Sequence, residues 1–369
     1  MNKNKVLFVL HMPPPVHGAA MVGKYIHDSE LVNNKYICEY INLTTAKDLQ
    51  DIGKGSFRKL WKFIKLLYHV ITGILRFKPA LVYITPNSCG GAFYKDFIVV
   101  QFVKCLGCKV VVHYHNKGVA TRQDRTIDNM LYRRFFKGVK VILLAEALYK
   151  DVEKYVKRED VYICPNGIPE SLVSEPVAER HNRIPHLLFL SNLIESKGVI
   201  VLLDALKILK DNGCSFVCDF VGGETSEIDK TRFEEEVRNR CLNGSVVYHG
   251  KKYGKDKERF FLDADIFVFP TFYYNECFPL VLLEAIQYGL PCVSTNEGGI
   301  RDVVKNNENG LISERMNPLS LADCISTLLA DKDLCEKMGE KGYRMFKEHF
   351  TLQAFERKFV EVIENAIGM

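Results

Sequence analysis

The sequence predicts an α/β protein of two doubly wound units, each a parallel sheet covered by helices. Three observations carry this. Short, nearly continuous apolar runs recur with helical stretches between them, as expected of parallel strands buried on both faces. The length of 369 residues is too great for one small domain and suits two. The polar stretch "PESLVSEPVAERHNRIP" (169–185), with three prolines, separates the runs as a linker would.

In the first half the strand candidates are "KVLFVL" (5–10), "YICEYINL" (36–43), "ALVYIT" (80–85), "KVVVHYH" (109–115), "KVILLA" (140–145) and "VYICPN" (161–166). In the second they are "HLLFLSN" (186–192), "FVCDFVGG" (216–223), "SVVYHG" (245–250), "DIFVFP" (265–270) and "PCVST" (291–295). Ligands of such sheets bind beyond the carboxyl ends of the strands. The unusual residues of both halves fall in those loops, which predicts a site in a cleft between two domains facing each other.

Composition narrows the function. The 47 % hydrophobic content is ordinary for a globular protein, and no apolar run approaches the roughly 20 residues of a membrane span. The opening "MNKNKVLFVLHMPPP" has too short an apolar run for a signal peptide and reads as a first strand, so a cytoplasmic compartment is expected. The twelve cysteines form no disulfide framework and are read as reduced, buried and inert, Cys38, Cys164 and Cys218 among them. Cys105 and Cys108 make one CxxC without a second pair, so packing rather than a metal is expected there. The net charge of +5 is unevenly spread. Residues 1–165 hold 26 Lys and Arg against 13 Asp and Glu, and the remainder 24 against 32. The basic half should meet something anionic.

Several loops carry candidate chemistry. In "HMPPPVHGAAMVGKYI" (11–26), Gly18 opens a helix whose N-terminus favours an anion, or else forms a tight turn; it is neither GxGxxG nor a P-loop. His113 and His115 close the fourth strand and share a face, one of them facing the cleft or both packed in the core; a third metal ligand is not evident. "LFLSNLIESKG" (188–198) places Asn192 and Lys197 in a loop where lysine meets a phosphate or simply solvent. "YYNECFPLVLLEAIQYGLPCV" (273–293) reads as a buried helix over 278–290 with Glu284 inside it and Glu276 just before it. Burying an unpaired carboxylate is costly. If the helix starts near Pro279, its first amides hold a phosphate and the two acids accept from sugar hydroxyls; otherwise Glu284 bonds a buried basic or hydroxyl group.

These residues resemble the retaining nucleotide-sugar glycosyltransferases of glycosyltransferase family four, of GT-B fold. The stretch "ECFPLVLLE" (276–284) matches their E-x7-E signature. "PNGI" (165–168), "SKG" (196–198), "VGG" (221–223), "HG" (249–250), "ADIFVFP" (264–270), "EAIQYGLPCV" (284–293), "EGG" (297–299) and "NGLI" (309–312) follow in family order, with "MGEKGYRMFKEHFT" (338–351) at the end. The resemblance implies two Rossmann-like domains: 1–165 binding the acceptor, 166–349 binding the donor, and a helix over 350–369 crossing back to the first. It also implies roles. Glu276 would hold donor-sugar hydroxyls, Glu284 the ribose, and Lys197 the diphosphate. The amides of Phe278, Pro279, Leu280 and Gly18 would assist, although Pro279, standing where the family commonly has glycine, supplies no N–H. His115 would touch the sugar near the reacting carbon. Family members usually have Gly and Arg where this chain has Ser191 and Asn192, so one diphosphate cation is replaced by a dipole.

The implied activity is retaining transfer of a hexosyl-type group from a nucleotide-diphosphate sugar, of UDP or GDP type, to a glycan or lipid-linked glycan. Assembly of bacterial polysaccharide, capsule or O-antigen (lipopolysaccharide) is the expected setting. No cofactor, metal or nucleic acid is expected. A non-catalytic sugar-nucleotide-binding subunit and a GT-B epimerase are the alternatives; a nicotinamide dehydrogenase is poor, because no GxGxxG with a following ribose-binding acid occurs. In "FRKLWKFIKLLYHVITGILRFK" (57–78), Arg58, Lys62, Lys65, His69, Thr72 and Arg76 form one helical stripe. This predicts either a buried helix with one solvated face or a half that rests peripherally on the anionic inner face of the cell membrane.

Overall fold

The computed structural model describes residues 3–14, 17–44, 57–171 and 182–368, and the side chains of these except 57–60. Most of the expected linker, residues 172–181, lies outside the described residues. The chain divides into one unit of Met1–Gly167 with Leu352–Met369, and a second of Ile168–Thr351.

The first unit runs β1 (Lys5–Leu10), α1 (Gly18–Asp28), α2 (Glu30–Lys35), β2 (Ile37–Asn42), α3 (Phe57–Phe77), β3 (Leu81–Ile84), α4 (Gly90–Cys105), β4 (Val110–His113), α5 (Thr126–Phe136), β5 (Lys140–Leu143), α6 (Tyr149–Val152) and β6 (Val161–Ile163). Its six strands are parallel in the order β2-β1-β3-β4-β5-β6. The central strands are completely buried, which is why they read as unbroken apolar runs rather than alternating ones. Right-handed crossovers place α3, α4 and α5 on one face, where each packs on the next. On the other face lie α1, α2 and the final helix, α14 (Leu352–Ile367). There Phe359 of α14 packs against Phe8 and Tyr83, and the Tyr36 hydroxyl donates to the Val360 carbonyl.

The second unit runs β7 (His186–Leu190), α7 (Val199–Asp211), β8 (Val217–Val221), α8 (Lys230–Asn239), β9 (Val246–Tyr248), α9 (Gly254–Asp263), β10 (Ile266–Phe269), α10 (Leu280–Gln287), β11 (Cys292–Thr295), α11 (Ile300–Val303), β12 (Gly310–Ser313), α12 (Pro318–Ala330) and α13 (Lys332–Met345). Its parallel sheet has the order β12-β11-β10-β7-β8-β9. The β-strand β12 was not anticipated, because its four residues form only a brief apolar run at a sheet edge.

Three other expectations need correction. The helix expected over 278–290 is shorter: Pro279 caps it, and the chain leaves it at Tyr288 because Gly289 adopts φ +67°. Not all cysteines are buried, since Cys105 and Cys241 are exposed near helix ends and Cys38 is half-buried on an edge strand. And α3 does not bury all its apolar residues: Trp61, Ile64, Tyr68 and Leu75 are exposed. Among the described residues no helix is long and apolar enough to cross a membrane.

Candidate functional site

In the second unit the loops after β7, β8, β9 and β10 converge. Lys197 ends the first of them in a single 3-10 turn, followed by Gly198 at φ +91°. A Cβ at Gly198 would stand 2.4 Å from the Pro270 carbonyl oxygen, so glycine permits the close approach of the β7 and β10 loops. Phe272 N–H donates to Ser196 O at 2.8 Å and fastens them. The Lys197 ammonium thereby lies 4.5 Å from the Tyr273 ring centroid, and its Nζ is 2.5 Å from Glu276 Oε2. Gly298, at φ +55°, backs the acid: a Cβ there would meet the Glu276 carbonyl oxygen at 2.2 Å.

Glu284 sits one turn into α10, where its Oε1 accepts from Lys257 Nζ of α9 at 2.6 Å. Both Glu276 and Glu284 are therefore paired with a protein lysine. The expectation that ligand hydroxyls rather than protein groups pair with these acids is corrected in one respect, since each already has a protein partner. Each carboxylate still has unused acceptor capacity, since one lysine occupies one of about four lone-pair directions. The α10 N-terminus, with Phe278 and Leu280 on either side of Pro279, supplies an anion-favouring end, less the one amide that proline lacks.

Asn192 has a definite structural task. Its Oδ1 accepts from Gly223 N–H at 3.2 Å and bridges the β7 and β8 loops. Neighbouring Gly222 admits no side chain, because a Cβ would lie 1.7 Å from Ser191 O. Over Gly223 lies a residue the sequence reading missed. A Cβ on Gly223 would come within 2.0 Å of Lys251 Cε and 3.0 Å of Asn192 Oδ1. Lys251 thus places a cationic side chain beside Asn192, and among the described residues nothing pairs with its ammonium. Lys257 was missed as well. Neither had a sequence signal beyond being a lysine after β9.

In the first unit, histidines gather at the carboxyl ends of β1 and β4. His113 is fully buried, with its Nδ1 2.7 Å from the Tyr83 hydroxyl. His115 lies past the strand, its ring centroid 4.3 Å from that of His113, and among the described residues its buried Nε2 has no hydrogen-bond partner. His11 lies 3.2 Å from Thr85 Oγ1 through Nδ1, and His17 caps α1 by accepting from Ala20 N–H at 3.4 Å. His11 and His17 were unforeseen; their rings are 6.1 Å apart. Gly18 follows His17 with open space over its Cα, so the start of α1 is accessible. The loop after β4 is ordered by Asp151, which accepts from the amides of Gly118, Val119 and Ala120.

Burial holds these imidazoles neutral. It lowers His11 to about 4 and His115 to about 3, and places His113 well below the ordinary 6.5. The folded pKa values lie below the unfolded one, so the unfolded chain takes up protons first as pH falls through 6.5. Stability is then complete above that pH and is lost on acidification, by up to about 1.4 kcal/mol per pH unit for each enclosed histidine. Melting temperature should fall between about pH 6.5 and 5, above the range in which ordinary carboxylates titrate. A flat profile across that window would contradict the enclosure of the cluster.

Of the expected membrane-face residues, Lys62, Lys65 and Arg76 lie on one side of α3. The side chain of Arg58 is outside the described residues. Among the described residues no group of three or more His, Cys, Asp or Glu could hold a metal ion.

Comparison with known proteins agrees with this arrangement. Residues 174–345 match the family described as "Glycosyl transferases group 1". The capsular polysaccharide biosynthesis glycosyltransferase CapM of Staphylococcus aureus is 28 % identical over 165 residues, 45 % of this chain and 42 % of CapM. The amylovoran biosynthesis glycosyltransferase AmsK of Erwinia amylovora is 24 % identical over 226 residues, 60 % and 55 % of the two chains. The chain spans about half the length of these curated relatives. Among solved structures, Anabaena HepE in complex with UDP has a TM-score of 0.74 at 16 % identity, covering 98 % of this chain and 100 % of that one. A Rickettsia africae glycosyltransferase gives 0.72 at 18 %, covering 100 % and 99 %. The two parallel-sheet units therefore have the GT-B fold, and residues 174–345 are similar to the glycosyl transferases group 1 family.

Proposed function

We propose that the protein is a retaining glycosyltransferase that moves a hexosyl-type group from a nucleoside-diphosphate sugar to a hydroxyl of a glycan or lipid-linked glycan. Assembly of bacterial surface polysaccharide is the setting we infer. The observation that carries this reading is the grouping of Lys197 with Glu276, and of Glu284 near the start of α10, inside the matched domain. The named roles of the relatives support the setting, and the presence of UDP and UDP-glucose in the HepE structures supports a UDP donor.

In this reading the second unit binds the donor. Glu284 accepts from the ribose hydroxyls and Glu276 from hydroxyls of the transferred sugar. Lys197, the first amides of α10 and Lys251 face the diphosphate. With three such groups the charge is met by the protein, so transfer is proposed to be independent of metal and to persist in EDTA. The first unit binds the acceptor, with Gly18 at an anion-favouring helix start. His115, neutral and with an Nε2 unpartnered among the described residues, is its candidate for contact with the transferred sugar. The sugar carbon–phosphate oxygen bond breaks as the acceptor oxygen forms its bond on the same face, and the acceptor proton passes to the departing diphosphate. Catalysis is then orientation and charge stabilisation. Glu276 is a poor covalent nucleophile here because Lys197 already draws on its charge.

The test is release of nucleoside diphosphate from a panel of UDP- and GDP-sugars, with and without lipid-linked acceptors. Acceptor-dependent release supports transfer. Binding without turnover would make the protein a sugar-nucleotide-binding subunit, and conversion of the donor without acceptor would make it an epimerase. Lys251 has its own expected outcome. A charge-assisted contact contributes about 1.5 kcal/mol or more, so Lys251→Met should weaken UDP binding on the order of tenfold and leave uridine binding unaltered. Equal loss for both ligands, read by calorimetry, would place Lys251 away from the phosphates.

A further inference from the structure

The seam between α9 and α10 carries more than the Lys257–Glu284 pair. On a helix, residues three and four apart share a face. Glu284, Gln287 and Tyr288 therefore lie on one side of α10 and its cap, and Lys257 and Phe261 on the facing side of α9, with Glu258 beside them. Phe261 stacks on Tyr288, with ring centroids 5.3 Å apart and planes 7° from parallel. The Tyr288 hydroxyl donates to Glu258 Oε1 at 2.7 Å, and the Ser171 hydroxyl donates to the same oxygen at 2.5 Å. Ser171 N–H in turn donates to Gln287 Oε1 at 2.6 Å. The Ser171 and Tyr288 hydroxyls hold the Glu258 carboxyl below the usual carboxylate range, so it is charged at neutral pH.

Ser171 belongs to the stretch by which the chain enters the second unit, at Ile168. The chain leaves that unit after Thr351, directly beyond a π-helical turn, Phe346–Phe350. The two stretches are joined: Ile168 N–H donates to Phe350 O at 3.0 Å, and Glu170 pairs with Lys347. Phe350 also packs on Phe278, just before α10, with ring centroids 5.8 Å apart. Both ends of α10 are thus fastened to the same two stretches, the first end through Phe278 and the last through Gln287 and Glu258. With only eight residues in the helix, fixing both ends fixes where Glu284 stands.

We propose that Glu258 is a positioning residue for the donor site. By holding Tyr288 and Ser171 together it sets the place of α10, and so of Glu284, and it couples nucleotide binding there to the stretch Ile168–Ser171. Apolar packing alone would keep α10 against α9 but not at one rotation, because burial is non-directional. Hydrogen bonds have direction, and one carboxylate oxygen can accept from hydroxyls of two different elements. This role rests on the reading of Glu284 as the acceptor of ribose hydroxyls and deepens it: the grip on the ribose depends on an acid that does not touch the nucleotide.

The experiment is calorimetric titration of the full chain with UDP or GDP, whichever the parent binds. Glu258→Ala should weaken binding about tenfold, the size of one lost hydrogen bond to a charged group, and raise KM more than it lowers kcat. Glu258→Gln keeps an acceptor oxygen for both hydroxyls and should bind as the parent does. In a double-mutant cycle, Glu258→Ala should have no further effect on binding once Glu284 is replaced by alanine, because it acts through that acid. Hydrogen exchange is the second readout: nucleotide should raise protection of the Ile168 and Ser171 amides in the parent and not in Glu258→Ala. Additive losses in the cycle overturn the proposal, since an acid with a merely structural role would give them. So do unchanged affinity in a folded Glu258→Ala, a Glu258→Gln as weak as Glu258→Ala, and exchange that nucleotide does not alter. A parent chain that binds neither nucleotide is a failure of the donor reading, and the role of Glu258 falls with it. Binding by the parent that Glu284→Ala abolishes and Glu258→Ala leaves intact is a failure at Glu258 alone.

Discussion

Lys197→Met is expected to lower kcat for sugar transfer by roughly 10²–10³-fold, with a smaller change in KM. That is the size of effect seen when one preorganised stabiliser of developing charge is removed. Lys197 meets the description of such a group. Its backbone is fixed by the 3-10 turn before Gly198, and its ammonium is confined by Tyr273 and Glu276 at 16 % side-chain exposure. It has little freedom to lose when the diphosphate departs. Charge on that leaving group grows toward the transition state, which is why the loss should fall on kcat rather than on donor binding. The substitution also leaves Glu276 enclosed without its cation, which should cost about 1–3 kcal/mol of stability, more if the acid stays charged. Steady-state kinetics with a thermal melt of the same variant separates the two effects. An unchanged kcat in a folded variant would remove Lys197 from the reaction.

Glu284→Ala is expected to weaken UDP binding by about 10- to 150-fold, the range for a hydrogen bond to a charged group. The melting shift given by UDP should largely vanish at a concentration that stabilises the parent chain. The structure makes a control necessary, because Glu284 is paired with Lys257 at 2.6 Å. If that pair only fastens α9 to α10, then Lys257→Ala and Glu284→Ala should lower the melting temperature alike and leave the UDP shift intact. If Glu284 holds the ribose, the two variants part company: Lys257→Ala retains the shift and Glu284→Ala does not. The pair is partly exposed, so its direct contribution to stability is small.

The first prediction depends on a contact between residues 79 apart in the chain, the second on one 27 apart. Nothing in local pattern announces either. The strands behave differently. The apolar runs from "KVLFVL" to "PCVST" were legible because a strand buried on both faces must be apolar throughout, whatever it pairs with. β12 escaped because four residues at a sheet edge carry little of that signal. Glu276 and Glu284 could be singled out because an acid in an apolar run is costly and demands a partner. Which partner is a question of space, and the fold supplies a lysine to each.

The α3 stripe shows the same division. Periodicity placed Lys62, Lys65 and Arg76 on one side of a helix, as a fixed 100° step requires. It could not tell which of the two apolar arcs the sheet covers. The packing of α3 on β1, β2 and α4 decided that, burying Leu66, Val70 and Ile74 and leaving Trp61 and Tyr68 in the open. The sequence by itself determined the class of fold and singled out the loops after the strands and the two acids near α10, since these follow from local burial and spacing. Only the tertiary structure decided that Lys197 and Lys257 hold those acids, that Lys251 stands over Gly223 near Asn192, and that α3 keeps an apolar ridge, because each depends on side chains brought together across the sheet.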